Sequence, residues 1–201
     1  MKIDIGCGSA KKLGFIGLDI SKLPGVDIVA DIQKNIPLKD NSVEEIYCAN
    51  VLHHISDWKT ALKEMHRVLK VNGILELLVP HFTHNRAYNP FHKHHFSLHC
   101  FDYFDPRTEL ASRRYYYTEG IRFIVKDVRI YIRKSKIFFW TYLIDFIVNL
   151  NRRTQHIWES WFCYIFPALN IRFILEKRPS QDKFTKELSS MYGKKIKDDK
   201  I

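Results

Sequence analysis

At 201 residues, 46% hydrophobic and 27% charged, the chain is long enough for one globular domain with its own core and too apolar for wholesale disorder. Eight glycines and seven prolines exclude collagen-like and low-complexity classes. The formal net charge of +10 is uneven, with 12 basic and 10 acidic side chains in residues 1–100 and 20 and 12 in residues 101–201, which suits an anionic partner or simple solubility.

In chain order, Lys2–Ile5 and Phe15–Leu18 are expected strands, each closed by Gly or Asp. Val26–Ala30 and Glu44–Cys48 are the next two, the second entered through a turn at Lys39–Ser42. From Asp57 the period changes: Ala61, Leu62, Met65, Val68 and Leu69 recur at helical spacing. Ser56 or Asp57 caps that helix, and Asn72-Gly73 gives a left-handed stop. Ile74–Val79 follows as a nearly continuous apolar strand, as in a parallel sheet covered on both faces. Residues 81–112 hold six of the ten histidines with Pro90 and Pro106, and read as a long structured loop with short helices. Ile121–Ile132 and Asn170–Glu176 are late strands.

Between those two, Ile137–Leu150 is an apolar helix with Thr141, Asp145 and Asn149 as a narrow polar stripe. Its length is about 21 Å at 1.5 Å per residue, short of a bilayer core of about 30 Å. With the Trp158–Phe162 stretch it is expected to form a helical hairpin that packs on the sheet or covers the pocket; a dimer face and a membrane-surface contact are the alternatives. The expected layout is a single α/β domain over residues 1–180. It has a cofactor-binding half (1–80), a His-rich substrate loop (81–112), a helical insertion (137–167) and a basic polar tail (181–201). The four cysteines form no C-x-x-C pair, and Met1–Gly6 lacks the apolar run of a signal peptide, so reduced thiols and a cytoplasmic location are expected.

The chemistry concentrates at strand ends. Asp4-Ile5-Gly6-Cys7-Gly8 follows the first strand, and its two glycines let the backbone turn sharply and approach a ligand. Asp19, thirteen residues past Gly6, closes the second strand, where a carboxylate accepts the two hydroxyls of a ribose. Asp31-Ile32 ends the third and offers an acceptor and an apolar contact beside a purine. A dinucleotide fingerprint would need a third glycine and an acid about 20 residues on, so NAD is disfavoured.

This ordered set resembles the class I S-adenosylmethionine-dependent methyltransferases, in particular the type 11 group. Gly17-Leu18-Asp19, Asp31-Ile32, Ile36-Pro37-Leu38 with Asp40-Asn41-Ser42, Val51-Leu52-His53-His54 and Glu64-Met65-His66-Arg67-Val68-Leu69-Lys70 each look like a stretch of that family, over roughly residues 2–80. The resemblance implies a Rossmann-like, doubly wound, mostly parallel sheet and S-adenosylmethionine as cofactor. It further implies cofactor contacts from Asp4, Gly6, Cys7, Gly8, Asp19, Ile20, Asp31, Ile32, Asn50 and Val51. Asp4 either orients the glycine loop or holds the amino end of the cofactor. This sequence departs from the family in two ways. The third glycine of the first motif is missing, and only six residues separate Gly8 from Phe15, too few for a full helix. The chain also starts almost at the first strand, without helices to cover the methionine end.

The expected acceptor is a polar small molecule that meets His53, His54, Arg86, His92, His94 and His95, with His81 or His84 as base. The histidine spacing is irregular and no H-x-x-x-H falls on a clean helix, so no metal is expected; a substrate-facing loop and ordinary loop histidines are the open readings. Two other functions remain: a non-catalytic protein of this fold that binds an anion through its basic half, and an RNA methyltransferase. No nucleic-acid-binding module supports the latter.

Overall fold

The computed structural model describes residues 1–113, 117–118 and 120–179. The basic tail 181–201 lies outside the described residues. The elements are β1 (Lys2–Ile5), β2 (Ile16–Asp19), β3 (Ile28–Val29), β4 (Val43–Ala49), α1 (Trp58–Val68) and β5 (Leu69–Pro80), then a 3₁₀ turn (Asp102–Phe104), α2 (Glu109–Arg113), β6 (Phe123–Ile132), α3 (Trp140–Val148), α4 (Arg152–Trp161) and β7 (Ala168–Lys177). Seven strands among these residues form one sheet in the order β3-β2-β1-β4-β5-β7-β6. The first five run parallel, while β7 is antiparallel to both β5 and β6. The order reverses at β1, which lies between β2 and β4, and in open α/β sheets such a reversal opens a crevice at the carboxyl ends of the strands.

Ile3, Ile5, Ile46, Cys48, Leu75 and Leu77 make the buried centre of the sheet. On it lies α1, burying Ala61, Leu62, Met65 and Val68; each large side chain so buried contributes about 1.5–3 kcal/mol. Asp57 caps the helix by accepting from the Thr60 N–H at 3.0 Å. The expected stop at Asn72-Gly73 is not where the helix ends. Leu69 is already extended (ψ 137°) and pairs with Val43. Pairing then jumps from Val43–Leu69 to Glu45–Ile74, so Asn72, at φ +62°, is the bend of a bulge inside β5. Strand pairing overrides the helical period four residues early. The third strand is also shorter than expected, paired only at Ile28–Val29.

In α3 the polar stripe faces the protein. Thr141 and Asp145 are buried, while Phe139, Leu143, Phe146 and Ile147 are exposed. The reason lies in β6, an edge strand whose outer N–H and C=O groups have no strand partner. Asn149 accepts from the Ile130 N–H (2.9 Å) and donates to its carbonyl (2.8 Å). Asp145 accepts from the Ile132 N–H at 3.3 Å, and Gln155 of α4 donates to the Val128 carbonyl at 2.6 Å. Polar side chains thus complete the edge, and the apolar face is turned outward.

His66 ties the sheet's far end together. Its Nε2–H donates to the carbonyls of Arg122 (3.2 Å) and Arg178 (3.0 Å). Burial, then the charge of Lys177, push its pKa down to about 4 from 6.5. Between those values the unfolded chain binds a proton that the folded chain refuses, so stability is full above about pH 6.5 and falls as pH drops towards 4. At about 1.4 kcal/mol per unit the loss approaches about 3 kcal/mol. Denaturant titrations at pH 7 and pH 4.5 should show wild type losing about 2–3 kcal/mol more than His66→Gln; equal losses would remove His66 from the pH dependence.

Candidate active site

The crevice is built from the ends of β1, β2, β3 and β4. Gly6 (φ +69°) and Gly8 (φ +54°) turn the chain back after β1 in a region of backbone space that favours glycine. The Gly6 N–H donates to the Leu18 carbonyl at 2.7 Å, which seats the turn on β2. The Asp19 carboxylate accepts from Gly8 N–H and Ser21 N–H, both at 2.9 Å, which fixes its orientation. Across the crevice Asn50 (φ +58°) leaves β4, followed by Val51. A Cβ on Gly6 would stand 2.1 Å from Val51 Cγ2, so the two loops close on each other only with glycine at position 6.

The resulting cavity is about 350 Å³, and of the expected cofactor residues Gly6, Asp19, Ile20, Asp31, Ile32, Asn50 and Val51 line it. Gln33, His54 and Ile55 join them. Gln33 was missed, although its position beside Asp31-Ile32 could have flagged it; its Oε1 accepts from Ser56 and Asp57 N–H at 3.1 Å. Asp4, Cys7 and Gly8 are not on the wall. Residues 6–15, all described, form turns and no helix. Asp4 holds this loop instead: it is 4% exposed, its Oδ2 accepts from the Lys12 N–H at 2.7 Å, and burial raises its pKa. Lys12 reaches Glu76 (2.9 Å) across the ring of Tyr47. Of the two roles open to Asp4, the geometry gives the orienting one. Burial pushes the Cys7 thiol up, away from nucleophilic use.

The histidines divide. His81, an expected base, is fully buried, with Nδ1 on Thr83 Oγ1 (2.8 Å) and Nε2 on Glu159 (3.0 Å), under Trp158 of α4. It has no face or free nitrogen to offer an acceptor, and that assignment is corrected: His81 clamps α4 to the end of β5. His84 is half-buried with an unpartnered Nδ1, and burial, then Arg86 and Arg133, lower its pKa. His94 and His95 lie on a separate groove of about 700 Å³ with Trp58, Phe96 and Phe104, which shares no residue with the crevice. Arg86 is exposed and lines neither. His53, His54 and His92 come together, with ring centroids 4.1–4.7 Å apart. His92 lies 38 positions after His54, so no local spacing could show this.

Residues 3–77, including the glycine turn, Asp19 and Asp31, match the family model of the methyltransferase domain. This stretch of the chain is similar to a methyltransferase domain. The match covers well under half of the chain. An uncharacterized methyltransferase-like protein of Schizosaccharomyces pombe is 44% identical over 57 residues, 28% of this chain and 22% of its own length. The demethylmenaquinone methyltransferase of Staphylococcus epidermidis is 30% identical over 99 residues, 38% of this chain and 41% of its own length. The chain therefore spans less than half the length of these relatives. The structure of YcgJ from Bacillus subtilis shares the fold over 89% of this chain and 91% of its own, at 17% identity and a TM-score of 0.51. The cofactor that this similarity implies is S-adenosylmethionine, and the crevice fits it: oriented carboxylates sit at two successive strand ends, with apolar walls and a backbone turn that admits no side chain.

Gly6→Ala should weaken calorimetric binding of S-adenosylhomocysteine by at least about tenfold, and Val51→Ala in the same chain should restore part of it, because the clash is with Val51 Cγ2. Unchanged binding in the single variant would show that the loops need not approach so closely.

Proposed function

We propose that the chain is an S-adenosylmethionine-dependent methyltransferase acting on a polar small-molecule acceptor. The observation that carries this is the glycine turn facing Val51 at the reversal of strand order, with Asp19 and Asp31 around one crevice. The cofactor supplies a methyl group on a cationic sulfur. Asp19 holds the ribose hydroxyls, and Ile32 with Asp31 receives the adenine. Such a displacement needs alignment above all, and fixed geometry supplies up to about 7–11 kcal/mol of the barrier. His84, the other expected base, is kept neutral by its half-buried surroundings, but its Nδ1 is buried and it lines no part of the crevice, so the displacement rests on alignment and the acceptor's proton is assigned to no residue. Asp19→Ala should weaken cofactor binding at least about tenfold, measured on samples whose circular dichroism shows them folded. Labelled-methyl transfer to a fractionated metabolite pool should give a product. Uptake of NAD in place of S-adenosylmethionine would overturn the reading, and cofactor binding without transfer to any fraction would favour the non-catalytic alternative.

The helical segment on the β6 edge offers a membrane face in this reading. No helix among the described residues is long and apolar enough to cross a bilayer. Yet Phe139, Leu143, Phe146 and Ile147 of the α3 region, Trp161 at the end of α4, and Tyr164 and Ile165 beyond it stand exposed. Arg133, Lys136 and Arg153 are exposed beside them, and no carboxylate is exposed among described residues 133–165. An apolar face rimmed by cations complements an anionic lipid surface. Flotation with vesicles of one-third anionic lipid should carry wild type up, and Phe139→Glu with Phe146→Glu should reduce the bound fraction at least about fivefold. Wild type that stays down and sediments as a dimer would assign the face to a second copy.

A further inference from the structure

His53 and His54 leave the carboxyl end of β4, and His92 arrives from the loop after β5, so that one donor atom from each lies within 4.8 Å of the others. Two of these rings are oriented as metal-bound imidazoles are. Nδ1–H of His54 donates to the Phe91 carbonyl at 3.3 Å, and Nδ1–H of His92 to the Ala87 carbonyl at 3.1 Å, which leaves each Nε2 as a lone-pair donor. The third ring, His53, is 3% exposed, and its Nδ1 is buried with no hydrogen-bond partner. An unsatisfied buried nitrogen is costly, and stacking among the three rings does nothing to satisfy it. The backbone around them is fixed: Lys93 N–H donates to the His53 carbonyl (2.7 Å), His54 N–H to Val51 (2.9 Å) and His92 N–H to Asn89 (2.8 Å).

We infer that His53, His54 and His92 hold a divalent transition-metal ion of the zinc class beside the cofactor crevice. Imidazole donors suit zinc, copper, iron and nickel, and three of them leave one position of a tetrahedral ion open. Bonds of about 2.0–2.1 Å put neighbouring nitrogens about 3.4 Å apart, so the rings close on the ion by rotations on the order of 1 Å. Because His54 also lines the crevice, the open position stands beside the cofactor. Resting on the methyltransferase reading above, that position takes the oxygen or nitrogen donor of the acceptor and so sets the substrate class: a small molecule with a metal-binding heteroatom next to the methylated one.

The test uses the full chain, stripped with chelator and titrated with Co²⁺ as a visible probe and Zn²⁺ as competitor. Wild type should bind one Co²⁺ with a tetrahedral absorption band that Zn²⁺ abolishes. His92→Gln and His54→Gln should each weaken binding about tenfold or more, while His94→Gln, on the other groove, leaves it unchanged. Unfolding midpoints and S-adenosylhomocysteine binding are measured on the same samples. Absence of stoichiometric Co²⁺ binding by wild type, or equal binding by His92→Gln, overturns the site. Cofactor binding without metal sinks this inference alone, whereas metal bound in a chain that ignores the cofactor upholds the site and sinks the methyltransferase reading.

Discussion

The contact between a bare backbone and Val51 governs the architecture of the crevice. Position 6 has no room for a Cβ, because the loop after β1 and the loop after β4 lean across the point where the strand order reverses. That closeness sets the width of the cavity. Asp19, pinned by Gly8 and Ser21 N–H groups, and Asp31 with Gln33 are the polar side chains that follow β2 and β3 on the cavity wall. In the short connection that follows, the work of a helix is divided among single side chains. Asp4 grips the backbone of Lys12 from below, Lys12 crosses Tyr47 to Glu76, and Lys11 reaches Asp27, which in turn accepts from Gly17 N–H. A buried carboxylate bonded to main chain is a stiff support, since losing its partner would leave charge without solvent.

The opposite end of the sheet solves a different problem. An exposed edge strand invites pairing with any other strand. Here Asn149, Asp145 and Gln155 satisfy the outer groups of β6 one by one, so α3 spends its polar residues inward and has only apolar ones left for the outside. Edge protection and the outward apolar face are one arrangement seen from two sides.

The first half of the fold was legible because its signals are local. A Gly-x-Gly after an apolar run, an acid at each of the next two strand ends and a helical period from Ala61 to Val68 each need only a window of a few residues. What could not be read depended on partners far along the chain. The helix ends at Val68 because Leu69 finds Val43, and nothing near Asn72 announces that. His81 is written like an active-site residue at a strand end, yet Glu159 and Trp158, 78 and 77 positions later, enclose it. The stripe Thr141, Asp145, Asn149 was visible as a stripe, but its direction was not, since that depended on β6 being the edge. The grouping of His53 and His54 with His92 depends on how the loop after β5 folds back, which composition does not encode.

The place of β7 has a consequence for how such a chain is made. It is the last strand among the described residues but sits between β5 and β6, hydrogen-bonded to both. During synthesis the cofactor half can assemble as soon as it leaves the ribosome, its parallel strands and α1 complete by Pro80. The later strand β6 then has nothing to pair with, and the inner edges of both β5 and β6 stay open until residues 168–177 emerge and slide into the gap. For that interval the nascent protein carries two unfilled edges and a naked apolar helix face together, the combination most prone to wrong pairing. Order of translation, more than final stability, is where this topology is most exposed.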